Sequence, residues 1–300
     1  LSTLLFLSAC GAPKQSAPRQ QAALDLGALS QGEAGAILQA LQSDPPRWVE
    51  RVGPYTAQLS TEISTTTEER GTLWLREDIF AKRTKEAARV TVENSTNNGY
   101  DLFVSPRASL LASRFGPFTT TPAAEALRLE AEAFHGVRAA LEPCAHGLSF
   151  SPQGEAPRAG RTAKIFSVEK AANPRPAPSY APEQAWRASI TLDEATGELA
   201  FDAETGILLA ADISLRYQAT RDGRPVELES RVKATITFGG AVEIEVPERG
   251  AEPPRWRPTY EKQQVLGPNA KKAPLPGEGK PSSKPAAQKS APKASTQPAP

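Results

Sequence analysis

Between Tyr55 and about Phe118, apolar and polar residues alternate with a period of two. Ala57, Leu59, Thr61 and Ile63 alternate with polar neighbours, Leu73 and Leu75 with Trp74 and Arg76, and Val90 and Val92 with Arg89, Thr91 and Glu93. Asn97-Asn98-Gly99 tolerates positive φ and separates the Val90 run from Tyr100-Asp101-Leu102-Phe103-Val104. This spacing predicts an antiparallel meander. The alternation returns in Trp186–Leu192, where even positions are apolar, and then in a longer stretch. Ile207, Leu209, Ala211, Ile213, Leu215, Tyr217 and Ala219 share one face, and Val226, Leu228, Val232, Ala234, Ile236 and Phe238 repeat it. Val242, Ile244 and Val246 predict a last strand before Pro247. Asp202-Ala203-Glu204-Thr205-Gly206 and Arg221-Asp222-Gly223-Arg224-Pro225 supply the turns. One apolar and one polar face per strand means a sheet with a single wet side and a well-determined register.

Helical spacing is rarer. Ile37, Leu38 and Leu41 predict a short helix over Glu33–Gln42, stopped by Pro45-Pro46, after which Trp48 and Val49 lead into the first strand. Pro122–Leu141 predicts one long helix, with Thr121 as N-cap, Pro122 in the first position, and Leu127, Phe134, Val137 and Leu141 as its buried stripe. Prolines crowd residues 151–184 and predict a surface excursion, interrupted by a short strand around Thr162–Val168.

Composition sets apart the two ends of the chain. Of 300 residues only 39% are hydrophobic and 6% aromatic, with 28 prolines, so part of the chain is expected not to fold. Residues 12–32 read as a flexible linker, and 248–300 as a disordered Pro/Lys/Ala-rich tail. From Pro268 to Pro300 six lysines face one glutamate, leaving the tail at +5 and the rest at −4 within a net charge of +1. Such a body gives no support to nucleic-acid binding. An anionic surface, such as an envelope polymer or lipid headgroups, is the partner expected of the tail, unless it is a solvating linker with no partner, and a structural or adaptor role is the alternative reading of the whole chain.

The opening residues, Leu4-Leu5-Phe6-Leu7-Ser8-Ala9-Cys10-Gly11, form an apolar run ending in small residues and a cysteine. They resemble the end of a bacterial lipoprotein signal peptide, with Leu7-Ser8-Ala9-Cys10 as the lipobox. The resemblance implies that 1–9 are a signal-peptide remnant and that Cys10 is lipidated and anchors the protein to a membrane. Gly11, in place of an aspartate, implies the outer membrane, facing the periplasm. Cys144 is then left without a disulfide partner. Cys144, His146 and His135 lie close in sequence, but three groups with no fourth ligand or orienting acid make neither a metal site nor a nucleophile.

A meander, a helix across it and long hairpins near the end resemble the LolA/LolB-like family. The residues carrying that resemblance are Gly71-Thr72-Leu73-Trp74-Leu75-Arg76 and Phe201-Asp202-Ala203-Glu204-Thr205-Gly206-Ile207-Leu208-Leu209. It implies an α+β fold over residues 33–247: an open antiparallel β half-barrel covered by one long helix, flanked by the disordered linker and tail. It also implies a lipid or acyl-chain ligand in a cavity lined by Leu59, Ile63, Leu73, Leu75, Val90, Val92, Leu209, Ile213, Leu215, Val232, Ile236 and Phe238. Periodicity alone leaves open whether these side chains line a cavity or fill an ordinary core.

No cofactor, metal site or enzymatic activity is expected. Carboxylates pair at Glu68-Glu69, Asp193-Glu194 and Asp202/Glu204, each in or beside a predicted turn where acids are expected on turn grounds alone. Gly147-Leu148-Ser149-Phe150-Ser151 is not a nucleophile elbow, and neither a phosphate loop nor a dinucleotide fingerprint is present.

Overall fold

A computed structural model describes residues 24–42, 44–67, 71–177, 182–221 and 223–252. Three short helices come first: α1 (Leu26–Ser30), α2 (Ala34–Ala40) and α3 (Pro45–Val52). Strands β1 (Tyr55–Thr67), β2 (Gly71–Arg83), β3 (Ala88–Asn94), β4 (Tyr100–Val104), β5 (Ser109–Ser113) and β6 (Thr119–Thr120) follow. Helices α4 (Ala123–Ala133) and α5 (Gly136–Leu141) and a 3-10 turn at Glu142–Gly147 come next. Then come β7 (Leu148–Arg158), β8 (Arg161–Lys170), a second 3-10 turn at Pro182–Ser189, β9 (Thr191–Asp202), β10 (Leu208–Arg221) and β11 (Arg224–Phe238).

The eleven strands form one sheet in the order β6-β5-β4-β3-β2-β1-β11-β10-β9-β8-β7, and each neighbouring pair is antiparallel. The two meanders meet where β1 pairs with β11, with Leu59 opposite Ala234 and Tyr55 opposite Phe238. The end strands β6 and β7 have one neighbour each, so the sheet is the expected open half-barrel.

The alternation predicts which face is buried. Each odd position from Ile207 to Ala219 is buried, as are Val232, Ala234, Ile236 and Phe238. The opposite face meets water, with pairs such as Arg216–Glu194 and Lys233–Asp212 across neighbouring strands.

Several expectations need correction. The linker expected through residue 32 ends earlier: Asp25 caps α1 by accepting from the Gly27 and Ala28 N–H groups, and Leu29 is buried. Pro45-Pro46 does end α2's neighbourhood, but it also starts α3, because a proline in the first turn gives up only an N–H that lacks an intrahelical acceptor anyway. Trp48 and Val49 are therefore helical and buried rather than part of an approach to β1.

The single helix expected over 122–141 breaks at Phe134-His135 into α4 and α5, and Pro122, not Thr121, occupies the cap position. Its buried stripe is Ala126, Glu130, Ala133, Phe134, Val137, Ala140 and Leu141, whereas Leu127 faces outward. The excursion expected from 151 is instead the long hairpin β7–β8. Pro152 and Pro157 are tolerated because β7 is an edge strand, where a missing N–H on the free side costs no ladder bond. Trp186–Ser189 belongs to the 3-10 turn, and β9 starts only at Thr191.

Val242, Ile244 and Val246 do not form a strand. Their segment crosses to the other face of the sheet, where Lys82 Nζ donates to the Glu243 carbonyl at 3.3 Å. Ile244 packs on a small second core of Phe103, Leu110, Ala112 and Phe118. The Phe118 N–H donates to Ala251 O at 3.0 Å and the Gly250 N–H to Phe118 O at 2.9 Å.

Candidate functional site

The core face of the central strands changes character along its length. At the α3 end, Tyr55, Ala57 and Leu59 of β1, Ile79 and Ala81 of β2, and Ile236 and Phe238 of β11 are buried. Helices α4 and α5 cover them. Gly136 opens α5 against β1 so closely that a Cβ there would lie 2.9 Å from Thr61 Cγ2. Among the described residues, no helix covers the face beyond Thr61. Ile63 is 37% exposed, Leu73 48% and Leu75 46%, although they share a face with fully buried Ile79. Register sets these three together, with Ile63 opposite Leu75 and Leu73 opposite Thr65. Ile63 lies eight residues along β1 from Tyr55, roughly 27 Å at the strand rise.

Polar groups border this open apolar floor. Glu77, between Leu75 and Ile79 on the same face, makes no ion pair among the described residues; burial raises its carboxyl, and neighbouring Asp78 adds to the effect. The Tyr100 hydroxyl donates to Leu129 O of α4 at 3.0 Å and is pushed up by burial and then by the charge of Glu77. The Thr65 Oγ1 and Ser230 Oγ hydroxyls are buried with no hydrogen-bond partner among the described residues. Ser230 lies directly across from Ile63.

Under α4 sits a buried ion pair. Arg83 Nη1 of β2 donates to both carboxylate oxygens of Glu130, whose side chain is 1% exposed. Tyr55, in an aromatic cluster with Trp48, Phe134 and Phe238, lies beside the pair. Its hydroxyl is raised well above the ordinary phenol value by burial and then by the Glu130 charge.

Of the twelve expected lining residues, Leu59, Val90, Val92, Leu209, Ile213, Leu215, Val232, Ile236 and Phe238 pack into one core cluster. Ile63, Leu73 and Leu75 alone form the open floor. Cys10 and the Lys/Pro-rich tail beyond residue 252 lie outside the described residues, as do Glu68 and Glu69. Cys144 is buried, and burial pushes its thiol up to about 12, far from a neutral-pH thiolate. His146 Nε2 faces Ile190 O at 3.3 Å. Among the described residues no group of three His, Cys, Asp or Glu side chains could hold a metal ion, and no helix is long and apolar enough to cross a membrane. Asp202 is a turn acid, accepting from the Thr205 N–H at 2.8 Å and from Arg161. Glu194 pairs with Arg216 at 3.0 Å.

The sequence reading missed the Arg83–Glu130 pair. Its signal was an Ala126-Glu130-Ala133-Val137 stripe, which a search for large apolar residues passes over.

No family model and no curated protein matches the chain. Solved structures similar to it include MucB, at 15% identity and a TM-score of 0.27, covering 73% of this chain and 64% of MucB. Also similar are a LolA superfamily protein from Nitrosomonas europaea (9% identity, TM-score 0.20, 69% of this chain and 94% of that one) and a putative outer membrane lipoprotein-sorting protein domain from Vibrio parahaemolyticus (9%, 0.20, 72% and 95%). The match thus spans less than two thirds of MucB's length. Any functional reading rests on the chain's own geometry.

Proposed function

We propose that this protein is a periplasm-facing outer-membrane lipoprotein, anchored through Cys10, that binds a lipid or acyl chain at the open end of its half-barrel. One observation carries the reading: Ile63, Leu73 and Leu75 are 37–48% exposed on the very face that is otherwise packed into the core. An apolar floor of this kind gains by removing its surface from water, about 25 cal/mol for each Å² covered. A flexible acyl chain can lie along the floor made by Ile63, Leu73 and Leu75.

Native mass spectrometry of the full chain purified from a bacterial envelope tests this. A one-to-one lipid adduct is expected, and it should disappear in the Leu73→Glu/Leu75→Glu double variant while the fold, followed by circular dichroism, is kept. A clean spectrum, or an adduct indifferent to that variant, overturns the ligand site. Cys10→Ser should release the protein into the soluble periplasmic fraction; retention in the membrane overturns the anchor.

A further inference from the structure

A second concavity lies at the other end of the molecule, where α2, α3 and the β9–β10 turn meet. It is a cleft of about 430 Å³. Its apolar side is Trp48, Ala40 and Ile207, all buried, with Leu26 of α1 beside them. The wall at Gly206 depends on glycine: φ is +69°, and a Cβ would lie 2.4 Å from Leu24 Cδ2 and 3.0 Å from Leu26 Cδ2. The polar side carries two guanidinium groups one helical turn apart on α3, Arg47 and Arg51. Arg47 is paired to Asp44 at 3.1 Å. Arg51 makes no hydrogen bond or ion pair among the described residues, so Asp44, Arg47 and Arg51 together leave one positive charge facing the cleft.

We propose that this cleft binds a phosphodiester amphiphile, with its anionic head on Arg51 and its apolar body against Trp48 and Ile207. The charge restricts the head to a monoanion. One unmatched guanidinium complements a single negative charge, as a phosphodiester has, and its fork of N–H donors matches two phosphate oxygens. Arg47, shared with Asp44, contributes less. Trp48, Ala40 and Ile207 are each at most 9% exposed, so only their edges face the cleft, and an apolar group attached to the head would lie against those edges and the partly exposed Leu24 and Leu26. Such a molecule could be a phospholipid of the bilayer or a free soluble phosphodiester; both present the same chemistry to the cleft. The proposal does not rest on acyl-chain binding at Ile63, Leu73 and Leu75.

Calorimetric titration with monomeric dihexanoyl phosphatidylglycerol, below its micellar concentration, tests the proposal in the full-length Leu73→Glu/Leu75→Glu chain, where the acyl-chain floor at the opposite end is removed. Saturable one-to-one binding is expected. Arg51→Ala should weaken it by about tenfold or more, through loss of the bidentate charge-assisted contact, with Arg47→Ala having a smaller effect. Arg216→Ala on the outer face, in the same background, should change nothing. Because Arg51 is exposed, unfolding of Arg51→Ala should match the parent, which separates lost binding from lost fold. Glycerophosphoglycerol, the same head without acyl chains, should bind far more weakly and reports on the soluble source; phosphatidylglycerol vesicles report on the bilayer. The proposal is overturned by the absence of monomer binding, by equal binding of the head without chains, by an unchanged Arg51→Ala, or by adsorption to vesicles alone.

Discussion

The two ends of the central hairpins have the same sequence pattern and opposite fates. On β2, Leu73, Leu75, Ile79 and Ala81 point to one face, yet the first two are nearly half exposed while the last two are buried. On β1, Ile63 differs from Leu59 in the same way. Nothing in the strands themselves distinguishes the ends. What differs is cover: α5 reaches β1 at Thr61 through Gly136, and α4 is tied down near Arg83 by Glu130. An apolar residue on a sheet becomes core only where a second layer reaches it. Where the layer stops, the same residue is available surface.

The strongest way to break this contrast is to untie the cover. Arg83→Met leaves the Glu130 carboxylate buried and uncompensated, and should cost about 3–5 kcal/mol of stability in urea unfolding. Arg83→Met/Glu130→Leu should recover most of that loss, since a buried pair replaced by apolar groups is often neutral. A double variant as unstable as the single would show that the pair does more than satisfy itself.

The direct comparison comes next. Ile79→Ala, at the covered end, should cost about 2–5 kcal/mol through lost burial and the cavity left behind. Asp202→Asn probes the covered end's own turn, with an expected loss of about 1–3 kcal/mol at pH 7 from its hydrogen bonds. Burial alone would raise this carboxyl, but the hydrogen bonds from Arg161 and from Thr205, together with the Arg161 charge, outweigh it and hold the group below its ordinary value. A carboxylate depressed in the folded state contributes fully above its unfolded pKa of about 3.9 and loses that contribution as the pH falls through the folded value. The parent should therefore lose stability on acidification below about pH 4 more steeply than Asp202→Asn, as read from urea midpoints against pH. Leu75→Ala, at the open end, should change stability by no more than about 0.5 kcal/mol. A loss as large as that of Ile79→Ala would mean that the open end is core after all.

The half-barrel was legible because long antiparallel strands announce themselves twice, by a period of two and by turn residues such as Asp202–Gly206 and Asn97-Asn98-Gly99. Asp202 and Thr205 lock the first turn, and Asn97 adopts φ +63° in the second. Of hairpin β7–β8 only the second strand was legible, around Thr162–Val168; β7 was not, because its prolines read as loop, and only its place at the sheet edge makes them tolerable. Val242, Ile244 and Val246 failed the opposite way: they alternate well, yet no strand edge was left for them beside β11, whose two sides are taken by β1 and β10.

The candidate sites divide along the same line. The sequence by itself determined which face of each strand is apolar, because alternation is local chemistry that no partner is needed to express. It could not say that nine of the twelve apolar side chains pack into the core while Ile63, Leu73 and Leu75 stay open. Nor could it bring Arg83 to Glu130 across 47 residues, or Arg51 to the turn at Gly206. Those outcomes depend on where the helices end over the sheet, and that is set by contacts between residues far apart in the chain.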